Sequence, residues 1–310
     1  CTSGSACLNY YPALAEAYYR NIPLLVLTAD RPAEWINQGD GQTIVQAEVF
    51  KNHAHAYLAF DEDSFENNSA SKRAITHFLG HLSQAWKGPI HLNIGLNEPL
   101  YGLAALQTFE FEAQLPQAIN PVLPDFTQIE GKKIMVLVGQ MDPNPRLEYL
   151  LGQFAELSNV VVLVENTSNL KNELFNHCID RSLNGFEQHD PAFQPEVLIS
   201  FGGAIVSKRI KAYLRQIPLE IHWRIASDFT EMNTFGTLTA TLPLEPTQFI
   251  EALLRSHLSL QTLNYKGKWK AIDYIAKDKQ ETFETSQTTL FDYDIFNSVQ
   301  ALLKGPMHLH

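Results

Sequence analysis

Short apolar runs, each bounded by turn residues and separated by helix-length stretches, constrain this chain more than any other feature. They fall at Ile22–Thr28, Ile90–Ile94, Lys133–Val138, Val160–Glu165, Val197–Phe201 and Glu220–Ile225. Runs that are apolar throughout, rather than alternating, belong to strands buried on both faces, which is the condition of parallel sheets. Parallel neighbours need a crossover between them, and the helical patterns supply it. The expected fold class is α/β, with open parallel sheets flanked by helices.

In the first block a helix begins at Ser3 or Ser5 and reaches about Tyr19, with Pro12 in its first turn or kinking it. An irregular loop follows the first strand, and a helix from about Ser71 to Trp86 leads into the second. Residues 112–126 hold Pro116, Pro121 and Pro124 without apolar period, and read as the linker closing a first domain at 111. The second block, 127–285, repeats the alternation, with helices at Arg146–Leu157, Ser207–Arg215, Thr247–Ser256 and a charged segment at Lys268–Thr285. An amphipathic helix at Phe291–Leu303 and the start of a strand end the chain.

The net charge of -11 argues against general binding to nucleic acid or an anionic membrane surface, both of which need basic patches. No apolar run has the length of a bilayer span. Cys1, Cys7 and Cys178 have no paired spacing, which fits a reduced, cytoplasmic setting. The chain starts at Cys1 without Met and breaks off in Pro306-Met307-His308-Leu309-His310; it reads as a piece of a longer protein.

Ligands of open α/β sheets bind outside the carboxyl ends of the strands. The first apolar run ends in Thr28-Ala29-Asp30-Arg31-Pro32, which puts the donor fork of Arg31 where a carboxylate would be met. The residues alone leave two readings: a ligand-facing cation, or a strand-end arginine paired with Asp30 or Glu34. Lys208 and Arg209 open a helix, where positive charge opposes the helix dipole; they are either a solvated first turn or cations kept for a ligand.

Thr2-Ser3-Gly4-Ser5-Ala6-Cys7-Leu8-Asn9-Tyr10-Tyr11-Pro12-Ala13, then Leu27 to Pro32, Gly39 to Ile44, Asn97 to Gly102, and Gly202-Gly203 with Ser207-Lys208-Arg209, occur in an order that resembles the thiamine-diphosphate enzymes. Within them the chain resembles the 2-succinyl-5-enolpyruvyl-6-hydroxy-3-cyclohexene-1-carboxylate synthases of menaquinone biosynthesis. The resemblance implies a partial pyrimidine-binding domain at 1–111, a complete central domain at 127–285, and the start of a diphosphate-binding domain at 286–310. It implies a transferase that joins 2-oxoglutarate to isochorismate with loss of carbon dioxide, using thiamine diphosphate and Mg2+, as a homodimer or homotetramer. It assigns Gln42 to catalysis, Arg31, Lys208 and Arg209 to substrate carboxylates, and Thr2, Ser3, Gly4 and Asn9 to the cofactor. Gly41 stands where some members carry asparagine, which removes a polar side chain from that position. The cofactor-activating glutamate would precede Cys1 and the magnesium motif would follow His310, so this chain alone is expected to be inactive. The alternatives are another carboligase or decarboxylase of 2-oxo acids, disfavoured by the number of cations, and a non-catalytic carboxylate-binding module.

Several patterns are expected to carry no chemistry. Gly39-Asp40-Gly41 with Asn67-Asn68 mimics a magnesium motif but lacks a buried strand before each half. His53 and His55 have no further metal ligand at useful spacing, and His177-Cys178 reads as a helix neighbour pair. Lys266, Lys268 and Lys270, interleaved with Tyr265 and Trp269, read as an amphipathic helix rather than a nucleic-acid surface. No GxGxxG follows any strand, so no bound dinucleotide is expected.

Overall fold

The structure is a computed structural model describing residues 1–39, 41–61, 69–82, 88–97, 122–187, 189–227, 231–256, 263–287 and 289–303. The chain divides into two compact units, Cys1–Val122 with Ser227–Thr230, and Leu123–Ala226 with Glu231–His310.

In the first unit, β1 (Leu24–Asp30), β2 (Ala56–Asp61) and β3 (Pro89–Gly95) form a parallel sheet in the order β1-β3-β2. The opening helix is split. Residues Gly4–Tyr10 form a 3-10 helix, and α1 covers Tyr11–Tyr19 with Pro12 in its first turn, where the missing N–H costs nothing. Ser3 caps nothing with its side chain. α2 (Ser69–Gly80) precedes β3, and its Phe78 packs with Ile90 and Leu92 on one face of that strand. Val26, Leu14, Cys7 and Phe50 form a second cluster. Strand β2 lies inside the stretch expected to be an irregular loop; it is an edge strand of partly exposed residues, so its apolar signal is weak.

The second unit is a five-stranded parallel sheet of β4 (Ile134–Val138), β5 (Val160–Val164), β6 (Val197–Phe201), β7 (Ile221–Ile225) and β8 (Ala240–Leu242), ordered β5-β4-β6-β7-β8. Strands β4, β5 and β6 are buried at every position, as their unbroken apolar runs require. α3 (Pro145–Ala155) and α6 (Pro246–Arg255) share one core cluster with the sheet. The cluster on the other side takes in α4 (Ile179–Leu183), α5 (Lys208–Leu214) and the start of α7 (Tyr265–Ser286). Phe126, the last residue of the expected linker, packs against Trp223 and Phe249; residues 112–121 lie outside the described residues.

Tyr265 and Trp269 are buried, and both donate to the Phe193 carbonyl, at 3.1 and 3.3 Å. These aromatic side chains anchor α7 to the core, while Lys268 and Lys270, on either side of Trp269, are exposed. α8 (Asp292–Leu302) buries no residue among those described. His177 and Cys178 precede the short helix α4 rather than lying on a helix, and His177 turns to the Asn172 carbonyl at 2.9 Å. The final strand expected after Leu303, together with Asp40, Asn67 and Asn68 of the magnesium look-alike, lies outside the described residues.

Candidate functional site

The carboxyl ends of β1 and β3 carry a buried polar network that grows out of their register. Thr28 pairs with Asn93, and Asp30 with Gly95. His91 and Asn93 fall two apart, hence on the same face of β3, and both are buried. Buried polar groups must be hydrogen-bonded, and here the partners lie across the sheet. The Thr28 hydroxyl donates to Asn93 Oδ1 at 2.6 Å and lies 2.8 Å from His91 Nε2. Asn93 Nδ2 donates to Asp30 Oδ2 at 2.8 Å, and Asp30 Oδ1 accepts the backbone N–H of Arg31 at 2.8 Å. The single Thr28 proton goes to Asn93, so His91 Nε2 is the donor in its own pair. His91 Nδ1 is buried with no hydrogen-bond partner, and burial pushes the imidazole down to about 4.

The network reaches the opening turn through Gln46, which is fully buried. Its Oε1 accepts the Gly4 N–H at 2.7 Å, and its Nε2 donates to the Ala29 carbonyl and Asn93 Oδ1, both at 2.9 Å. Gly4 has φ +80°, and a Cβ there would lie 2.8 Å from the Gln42 carbonyl oxygen. The structure therefore brings together two residues singled out from sequence, Gly4 and Gln42. Gln42 itself has φ +59° and is exposed. Ser3 is buried; Thr2 and Asn9 are exposed, and neither side chain makes a hydrogen bond among the described residues. Arg31 lies just past the end of β1, half-buried. His53 and His55 pack among tyrosines: His53 Nδ1 lies 3.0 Å from the Tyr11 hydroxyl, and the His55 ring stacks on Tyr18.

In the second unit the strand order reverses between β4 and β6, the switch point where such sheets bind ligands. There the two loops are laced together. Gly139 N–H donates to the Phe201 carbonyl at 2.9 Å and Gly203 N–H to the Gln140 carbonyl at 2.7 Å. A Cβ on Gly139 would stand 2.2 Å from the Gly203 oxygen. The buried Arg224 holds the Gly202 carbonyl with both terminal nitrogens, each at 3.2 Å. Next to it, His222 sits between the Ser200 and Thr237 hydroxyls at 2.8 and 3.2 Å; burial, and then the charge of Arg224, push it down to about 4.

The same loop runs on into α5. Lys211 Nζ donates to the Ile205 carbonyl at 3.0 Å. Glu165, just after β5, accepts the N–H groups of Val206 and Ser207 at 2.7 and 2.6 Å, and the Ser207 hydroxyl donates to Asp180. Ser207 caps α5 through the Ile210 N–H. This clamped loop presents Lys208 and Arg209, both exposed. Arg209 donates to Asn184, whereas Lys208 makes no hydrogen bond or ion pair among the described residues. A cleft of about 390 Å³ beside the loop is lined by Glu165, Asp180, Arg181 and Ser207, and not by Lys208 or Arg209. With two carboxylates against one guanidinium, that cleft is electrostatically unsuited to a dicarboxylate.

Sequence reasoning missed Gln46, Asn93 and Glu165. For Asn93 a signal existed: two polar residues two apart in an otherwise apolar strand must share a face and need partners.

Two parallel sheets flanked by helices make this an α/β protein whose layout agrees with the fold of the thiamine-diphosphate enzymes. No family model matches the chain. It is 37% identical over 91% of its length to the 2-succinyl-5-enolpyruvyl-6-hydroxy-3-cyclohexene-1-carboxylate synthase of Flavobacterium psychrophilum, covering 52% of that protein. It is 38% identical over 96% of its length to the synthase of the same name from Flavobacterium johnsoniae, covering 54% of it. The one from Porphyromonas gingivalis is 33% identical over 91% of this chain, with 52% of it covered. The chain belongs to this family of synthases, and spans about half the length of the curated relatives it matches.

Proposed function

We propose that the chain is part of a transferase that joins 2-oxoglutarate to isochorismate, releasing carbon dioxide and forming 2-succinyl-5-enolpyruvyl-6-hydroxy-3-cyclohexene-1-carboxylate for menaquinone biosynthesis. The observation that carries the reading is the identity of 33–38% to synthases of that name across nearly the whole chain.

The cofactor reading has physical support in the first unit. Thr2, Asn9 and Gln42 offer a hydroxyl and two amides, all neutral and exposed, and Gln42 lies against a turn that only glycine fits. Neutral donors and acceptors of this kind suit an uncharged heterocycle such as the aminopyrimidine of thiamine diphosphate better than its diphosphate. Among the described residues no three His, Cys, Asp or Glu side chains gather as metal ligands. When bound, thiamine diphosphate supplies the electron sink for decarboxylation and carbon–carbon bond formation.

The chain's own residues then have the following roles. Thr2, Ser3, Gly4 and Asn9 hold the pyrimidine side of the cofactor. Gln42 hydrogen-bonds the reacting group. Arg31 in one unit, and Lys208 and Arg209 in the other, hold substrate carboxylates through charge-assisted pairs. The assembly is proposed to be a homodimer or homotetramer in the cytoplasm; among the described residues no helix is long and apolar enough to cross a membrane.

The test is consumption of 2-oxoglutarate by the protein of the complete reading frame, supplied with isochorismate, thiamine diphosphate and Mg2+. Turnover that needs all four supports the proposal. Carbon dioxide release from pyruvate without use of isochorismate would assign a different carboligase, and binding of a dicarboxylate without turnover would leave a binding module.

A further inference from the structure

We propose that Gln46 is a positioning residue that locks the Gly4 turn to the carboxyl ends of β1 and β3, so that the cofactor-side turn and Arg31 form one rigid piece. This inference rests on the thiamine-diphosphate reading above.

Gln46 lies in the loop between the Gly41-Gln42 turn and β2 and is fully buried. Burying an amide is unfavourable unless its hydrogen bonds are replaced. Its sequence neighbourhood does not call for one, since Ile44, Val49 and Phe50 all belong to a hydrophobic cluster. A methionine would fill similar space with no polar group to satisfy.

What the amide supplies is direction. One acceptor and two donors go to three separate segments: Gly4 in the opening turn, Ala29 in β1 and Asn93 in β3. Toward the ligand side, the bond to Asn93 continues to the Asp30 carboxyl and on to the Arg31 N–H. Toward the turn, the bond to Gly4 fixes the glycine that lies against the Gln42 backbone. Rotating the amide by half a turn would set donor against donor at Gly4 and acceptor against acceptor at Ala29, so a single orientation is allowed. The Gly4 N–H is consumed in this arrangement and is not available to a ligand; Gly4 contributes by shaping the turn, and Thr2, Ser3 and Asn9 make the contacts.

The test compares three proteins made from the complete reading frame: unsubstituted, Gln46→Met, and Phe78→Leu. Phe78 packs on Ile90 and Leu92, the face of β3 opposite His91 and Asn93, so its variant loosens the same unit without touching the network. Calorimetric titration with thiamine diphosphate and Mg2+ is paired with the KM for 2-oxoglutarate. Gln46→Met is expected to weaken cofactor binding about tenfold and to raise KM by a similar factor, with one hydrogen bond lost at the turn and two at the strands. Phe78→Leu is expected to lower the melting temperature and to leave both constants unchanged. If Gln46→Met does not fold, Gln46→Asn, one methylene shorter, is titrated with the same expectation. Unchanged constants in the Gln46 variant, or equal losses in both variants, would overturn the positioning role. An unsubstituted protein that takes up no thiamine diphosphate would overturn the cofactor reading itself, and this inference with it.

Discussion

Gly4 and Gln42 approach so closely that a single methyl group on the first would stand 2.8 Å from the carbonyl oxygen of the second. Two segments far apart in sequence meet there backbone to backbone, and the opening turn is shaped by that meeting. Gly4→Ala meets a double obstacle, because φ is +80° and the space is filled by backbone. It is expected to cost about 1–2 kcal/mol from the left-handed conformation alone, with a further loss from displacing Gln42. Urea unfolding of the variant checks the first, and weaker uptake of thiamine diphosphate the second.

His91 and His222 give the protein an acid-sensitive interior. Each lies beside a hydroxyl on the neighbouring strand, Thr28 and Ser200, and each is pushed down to about 4 mainly by burial. The folded state therefore binds fewer protons than the unfolded chain between pH about 6.5 and about 4, and stability falls as pH falls through that window. Below it both states are protonated and the slope vanishes. Each histidine is expected to remove roughly 3 kcal/mol across the window, an upper figure since local relaxation admits water. His91→Gln, whose amide can still donate to Thr28, is expected to flatten the pH dependence by one proton. An unchanged slope in urea unfolding between pH 7 and 4 would assign the acid sensitivity elsewhere.

Arg31→Ala in the protein of the complete reading frame is expected to raise KM for a dicarboxylate with a smaller effect on kcat. Loss of a charge-assisted pair amounts to about 1.5–3 kcal/mol, or roughly ten- to a hundredfold in KM. Unchanged kinetics would remove Arg31 from the substrate site.

Glu165 bridges the N–H groups of Val206 and Ser207 and so fixes the loop that ends in Lys208 and Arg209. Glu165→Ala leaves two donors to water at a partly exposed position, so the stability cost is expected to be modest, about 1 kcal/mol. Its effect on KM should exceed what that cost suggests, since two cations lose their fixed support. Equal KM in variant and parent would show that Lys208 and Arg209 do not depend on the clamp.

Trp269→Ala is expected to be the most damaging single change of this set. The indole is 1% exposed and packs against Phe186 and Phe193, and its N–H reaches the Phe193 carbonyl. About 3–5 kcal/mol is expected from the cavity and the lost transfer energy, read by unfolding of the second unit.

By itself the sequence determined the alternation of strand and helix, and with it the parallel sheets. An unbroken apolar run such as Val160–Val164 has no stable place except between two covered faces. It also marked Arg31, a strand-end guanidinium visible as a residue type at a position set by local pattern, whereas Gly4 and Gln42 were marked by the resemblance to the family. Only the tertiary structure decided the rest. β2 and β8, partly exposed at sheet edges, bury too little to leave a strong pattern. The role of Gln46 is invisible in the line of text, because its three partners lie 42, 17 and 47 residues away. A side chain's hydrogen-bonding demand is local, but its satisfaction is long-range. The sequence declares the first, and the second exists only once β1, β3 and the opening turn have come together.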